Sequence, residues 1–250
     1  MKRVCLFFSF LFVATAFADA PTASEVVAKL DELKATLAVE VTEALKTNSY
    51  NASYTTVWRN FEDDAEVAFR DSLKKHIPGL TEKNFNTGQT GSEKNRLADL
   101  AIVCSNQIIE VSIKASRSGQ NSENDMGTFR DHPTRKKLFV ASFTLWGRYD
   151  DAGSGIKVDR VFFDQTWRFV GKSTLVDGVK YRKKDGNMRP KPWTMFESGK
   201  SYWNTEEEFE AAVKRSAKYR ANSLVKEYLR DMTEEDQRLL FEELKKKFKE

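Results

Sequence analysis

Apolar residues along this chain follow different rhythms, and each rhythm predicts a different element. Across residues 22–47, Val26, Leu30, Leu33, Leu37, Val41 and Leu45 recur every three or four positions, the spacing of one helix face. Thr22 and Glu25 open that stretch three residues apart, the capping-box pattern in which each side chain serves the other's backbone N–H. A second stripe, Trp58, Phe61, Ala65, Ala68, Phe69 and Leu73, predicts a helix over residues 57–76, ended by Pro78 and Gly79. Between residues 97 and 116 the rhythm changes. Two short β-branched runs, 100–103 and 108–113, flank Ser105, Asn106 and Gln107, which predicts a β-hairpin whose first strand carries Asp99. On the second strand Glu110, Ser112 and Lys114 share one face, and Ile109, Val111 and Ile113 share the other. The near-continuous apolar run 138–145 suits a strand at a sheet centre, with a further strand over 158–163. Thr205 with Glu208 and Thr233 with Asp236 then cap two final helices. Phe209, Val213, Leu224 and Tyr228 stripe the first; Leu239, Leu240, Leu244 and Phe248 stripe the second.

The hairpin gathers chemistry as well as shape. It brings Asp99, Glu110 and Lys114 onto neighbouring strands, and carboxylate oxygens suit a hard cation such as Mg2+ (or Mn2+). A lysine beside them can orient or deprotonate a water for attack on a phosphodiester. The plainer alternative is a sheet whose polar positions simply face solvent. Asp99 weighs against it, because an aspartate inside an apolar stretch is costly to bury without a cation.

An Asp on one strand, followed by an acid-x-Lys on the next, resembles the PD-(D/E)xK nucleases, the restriction-endonuclease-like superfamily. Residues 109–116, with the polar loop that begins at Arg117, are similar to the strand and loop of that motif, and the resemblance spans roughly residues 55–170. Asp99 matches the first metal-binding acid and Lys114 the lysine. Ser112 departs from the pattern, standing where Asp or Glu belongs, and Glu110 on the same face is the substitute carboxylate. The resemblance implies an α/β fold (α+β, mixed sheet): a restriction-endonuclease-like core with helical N- and C-terminal extensions. It also implies hydrolysis of DNA, with RNA as the other candidate. Catalysis then falls to Asp99, Glu110 and Lys114, joined by Glu66 (or Glu62) from the preceding helix, with Asp99 and Glu110 holding the metal. Ser112, Ser116, Arg117, Gln120, Asn121, Asn124 and Arg130 become substrate contacts, since amides, hydroxyls and guanidinium groups donate to phosphates and base edges.

Composition narrows the setting. A basic start (Lys2, Arg3), an apolar run over 4–17 and small residues near Ala18 read as a secretory signal peptide over 1–18. Export to a secreted or periplasmic location follows, with no stable membrane association after cleavage. The remaining 19–250 is read as one nuclease-like domain: an N-terminal helix (22–47), the core (55–170), a basic aromatic loop region (171–204) and C-terminal helices (205–250). Of two cysteines in the whole chain only Cys104 survives cleavage, so no internal disulfide forms. With two histidines, a Cys/His zinc site is excluded. Asn51-Ala52-Ser53 is a glycosylation sequon should the source be eukaryotic. Residues 157–200 carry an excess of lysine and arginine interleaved with Trp167, Tyr181, Trp193, Tyr202 and Trp203, which fits a nucleic-acid-facing surface. Two alternatives stand beside the exported nuclease: a nucleic-acid-binding protein with a dead site, and a secreted effector whose helices bind a protein.

Overall fold

A computed structural model of the chain describes residues 20–48, 57–87, 99–119, 125–151, 156–230 and 232–247. Helices α1 (Ala23–Leu45) and α2 (Val57–His76) come first. Strands β1 (Phe85–Thr87), β2 (Leu100–Val103) and β3 (Ile108–Arg117) follow, then helix α3 (His132–Leu138) and strands β4 (Ala141–Asp151) and β5 (Ile156–Gln165). Two short helices, α4 (Thr166–Phe169) and α5 (Trp193–Glu197), lead to α6 (Glu206–Arg230) and α7 (Glu234–Lys247). The strands make one sheet in the order β1-β2-β3-β4-β5. All pairs are antiparallel except β3 and β4. This is the mixed α+β sheet with flanking helices that the sequence predicted.

Local chemistry accounts for the ends of these elements. The capping box of Thr22 and Glu25 forms at the start of α1, and Gly79, at φ +86°, supplies the turn after α2. The Cys104 N–H donates to the Gln107 carbonyl at 2.9 Å and closes the β2–β3 hairpin. Because β3 and β4 are parallel, the chain must cross over between them, and α3 lies on that crossing. Proline disfavours a helix interior, yet Pro133 falls within the bounds of this helix. It sits in the first turn, where a missing N–H costs nothing. The strand expected over 138–145 begins later, at Ala141, because Leu138 still ends α3.

Each face of the sheet has its own core. Ile109, Val111 and Ile113 pack with Leu30, Leu37, Phe61 and Phe69 beneath α1 and α2. A Cβ on Gly147 would stand 2.2 Å from the Phe61 ring, so only glycine lets β4 approach α2 this closely. The edge strand β5 is covered rather than open: its Val161 N–H donates to Thr42 Oγ1 of α1 at 2.9 Å. The opposite face carries a second core built on Trp146, Phe162, Phe169 and Phe196.

That second core corrects the reading of residues 157–200. Trp167, Trp193 and Trp203 are buried in it, so their rings hold the fold together and are closed to unstacked bases. Tyr181 stacks edge-on against Phe129, and Tyr202 alone of the five named rings is exposed. Several of the cations there are also committed: Arg168 to Asp164, Lys172 to Asp177, and Arg182 and Arg189 to Asp125. In the C-terminal helices, Phe209 and Val213 are buried, whereas Tyr228, Leu239 and Leu244 are exposed and α7 buries no residue. Cys104 is buried, and burial pushes its thiol up to about 11, as suits an inert core cysteine. No helix of the described residues is long and apolar enough to cross a membrane. Residues 1–18, expected as a signal peptide, the sequon at Asn51, residues 88–98 and the loop carrying Gln120, Asn121 and Asn124 lie outside the described residues.

Candidate active site

The face of β3 opposite α1 and α2 carries Glu110, Ser112, Lys114 and Ser116 in a row, and two distinct polar centres form along it. Asp99 occupies a bend just before β2 rather than a place in the strand, a small correction to the hairpin expectation. The register pairs Leu100 with Val111, so Asp99 falls one step beyond the ladder. Its carboxylate takes over there. Oδ2 accepts the Ile113 backbone N–H at 2.7 Å and the Lys114 ammonium at 3.0 Å. Both bonds use one oxygen, and Oδ1 keeps no hydrogen-bond partner among the described residues. Asp99 and Lys114 are half-exposed, at 36% and 23% of their side-chain surface.

Glu66 lies on α2 and is paired with Arg70 of the same helix. Burial raises its carboxyl above the ordinary value, Arg70 opposes that, and the charges of Asp63 and Asp99 raise it further. Arg70 lies 3.3 Å from one Glu66 oxygen and 3.2 Å from Glu82. The Asp99 charge is a smaller contributor to that rise than burial or Asp63.

The second centre is built on Glu110, only 1% exposed. Ser142 stands directly across from it on β4 and donates to its Oε2 at 2.8 Å. Ser142 and Thr144 each hydrogen-bond Thr166 at 2.9 Å, which ties the start of α4 into the same cluster. Arg135 of α3 forms an ion pair with Oε1. Burial lowers the Arg135 guanidinium from its ordinary value, and the Asp99 charge counteracts that. Arg135 therefore sits within the field of both acids. A buried carboxylate with a guanidinium and a hydroxyl upon it is electrostatically satisfied. Glu110 is thus placed on the expected face but engaged by Arg135, a partner that the sequence alone did not single out.

The remaining candidates divide. Ser112 is buried between the two centres, on the shared face. The Ser116 hydroxyl accepts the Trp146 indole N–H at 3.2 Å, a packing role, and the Arg117 carbonyl accepts that of Trp193 at 3.1 Å. Arg130 is exposed, in the turn before α3. Among the described residues, no group of three or more His, Cys, Asp or Glu side chains is gathered as a metal cage would need.

No family profile matches this chain, and no curated protein matches it either. Among solved structures it is similar to the NlaIV restriction endonuclease, with a TM-score of 0.48 and 14% identity over 77% of this chain and 78% of that one.

Proposed function

We propose that this protein is a metal-dependent nuclease centred on Asp99 and Lys114, with Glu66 as the second carboxylate and DNA as the substrate. The observation that carries the reading is the Asp99–Lys114 contact at 3.0 Å, held at a strand end by the Ile113 N–H. The donor set fits a magnesium ion: two carboxylates and otherwise water or phosphate oxygens are the usual complement, since Mg2+ dehydrates reluctantly and needs no full protein cage. When bound, such an ion polarises a phosphoryl oxygen and lowers the pKa of a water.

The chain's own residues do the rest. Asp99 fixes Lys114 in place, and the half-exposed ammonium retains donors for a phosphate oxygen. Its positive charge favours the extra negative charge that builds as the phosphorus gains a fifth oxygen. Glu66, whose carboxyl is raised chiefly by burial and slightly by the Asp99 charge, is the acid that would complete the oxygen set with Asp99. Glu110 serves instead as the anchor for Arg135, holding α3 against the sheet. Export through the N-terminal segment is part of the same proposal and accords with a nuclease acting outside the cell.

A supercoiled-plasmid nicking assay on purified protein tests this reading. Cleavage should appear in Mg2+, vanish in chelator, and be lost in Asp99→Asn. Salt-sensitive DNA binding with no cleavage in Mg2+ or Mn2+ would instead establish a binding protein with a dead site. The ion pair between Arg135 and Glu110 favours that second reading, since it removes one of the acids that the motif calls upon.

A further inference from the structure

Far from this site, a pocket of about 540 Å3 opens between α1, the edge strand β5 and the segment around α5. Lys191 lies in its wall with only 2% of its surface exposed. Its ammonium donates to the Lys200 carbonyl at 2.6 Å and stands 5.2 Å from the ring centres of both Phe169 and Phe196. No carboxylate among the described residues comes within ion-pairing distance of it. The acids of the same wall are already taken: Asp164 by Lys34 and Arg168, Glu43 by Lys46, and Asp159 and Glu197 by Arg148. At the rim Arg160, also without an ion pair among the described residues, lies 5.1 Å from the Phe162 ring, and Phe162 packs 5.4 Å from Phe196. Neither cation has a carboxylate partner among the described residues; each lies against rings that the second core buries.

A buried ammonium with a single carbonyl acceptor and two aromatic neighbours keeps two N–H donors for an anion or for water. We infer that this pocket binds a small carboxylate monoanion, its acid group on Lys191. The single buried cation sets the charge at one: a monoanion balances it, whereas a phosphate dianion would require Arg160, which lies beyond the Phe162 ring. Burial brings the free Lys191 ammonium down to about 8, with Asp164 opposing and Arg168 reinforcing the shift, consistent with a cation lacking its counter-ion. This site shares no residue with the proposed nuclease centre, so either can fail without the other.

The test is a 19F NMR titration of the full chain with 4-fluorobenzoate, with 4-fluorobenzyl alcohol as the uncharged comparison. One saturable site should appear for the acid and none for the alcohol. Lys191→Met, which keeps the length of the side chain and removes the charge, should weaken binding by at least about tenfold, the scale of a lost charge-assisted hydrogen bond. Arg160→Ala should weaken it by only about two- to threefold, as expected for a rim charge. In unmutated protein, 4-fluorobenzoate should also shift the backbone amide resonances of Lys191 and of Phe196 to Gly199, and not those of β3, which frees the result from any folding defect of the variant. Equal binding in Lys191→Met, equal binding of the alcohol, or absence of a saturable site overturns the inference. Displacement by inorganic phosphate as strong as by benzoate overturns the assignment to a carboxylate.

Discussion

Asp99 and Glu110 are the two acids that the hairpin places beside one strand face, and their surroundings differ in every respect that matters. Asp99 is half-exposed, bonded through one oxygen and paired with a lysine that is itself half-exposed. Glu110 is sealed from water, and both its oxygens are engaged, by Arg135 and by Ser142. The difference teaches that a carboxylate on the right face of the right strand is not enough. An acid free to meet a ligand must keep an unsatisfied lone pair at the surface, whereas a buried one must be neutralised from within the fold.

The largest expected effect falls on the exposed pair. If it forms the reactive centre, Asp99→Asn and Lys114→Met should each lower plasmid cleavage by about 10²- to 10⁴-fold, the usual scale for a positioned proton-transfer or charge-stabilising group. Their urea midpoints should stay close to that of the parent chain. The reverse pattern belongs to the buried pair. Glu110→Ala strands the Arg135 guanidinium and should cost about 3–5 kcal/mol in urea unfolding. The double variant Glu110→Met with Arg135→Met should recover most of that loss, since it leaves no orphaned charge. Should Glu110→Ala instead abolish cleavage at unchanged stability, the two acids have been assigned the wrong way round.

A third change sharpens the comparison by adding an acid between the two centres. Ser112→Asp puts a carboxylate where the resemblance calls for one. It should tighten Mg2+ binding roughly tenfold by raising the charge of the oxygen set, as measured by isothermal titration. Loss of metal affinity in that variant would place the cation elsewhere.

The smallest effect is in pH. The folded Glu66 carboxyl titrates above its unfolded value, so the native state binds more protons in that interval. Its contribution to stability is present at low pH and is lost as pH rises through the raised value. Unfolding followed from pH 4 upward should show this decline in the metal-free chain. Glu66→Gln should flatten it, and an unchanged slope in that variant would show that the Glu66 carboxyl is not raised by its burial.

Much of this arrangement was legible beforehand for a simple reason: it is local. The alternation along 109–114 sorts Ile109, Val111 and Ile113 from Glu110, Ser112 and Lys114 whatever the rest of the chain does, and the folded sheet keeps that division. Thr22 with Glu25, and Thr233 with Asp236, mark helix starts because the bonding groups are three residues apart. The tryptophans misled. A tryptophan near lysines has the same composition whether its ring stacks on bases or fills a core, and only the opposite face of the sheet, needing cover, settles which. Pro133 is a similar case: proline disfavours a helix interior and favours its first turn, and the sequence does not say where the turn begins.

What the sequence determined by itself, then, is everything governed by neighbours within a turn or a strand pair: the hairpin, its two faces, the caps and the amphipathic helices. What only the tertiary structure decided is which charges meet. Arg135 reaches Glu110 from 25 positions away, Glu66 feels Asp99 across the gap between a helix and a sheet, and Lys191 is left without an acid because its neighbours are claimed by others. Coulombic pairing depends on distance in space and on the water excluded between partners. Neither quantity is written in the spacing of residues along a chain.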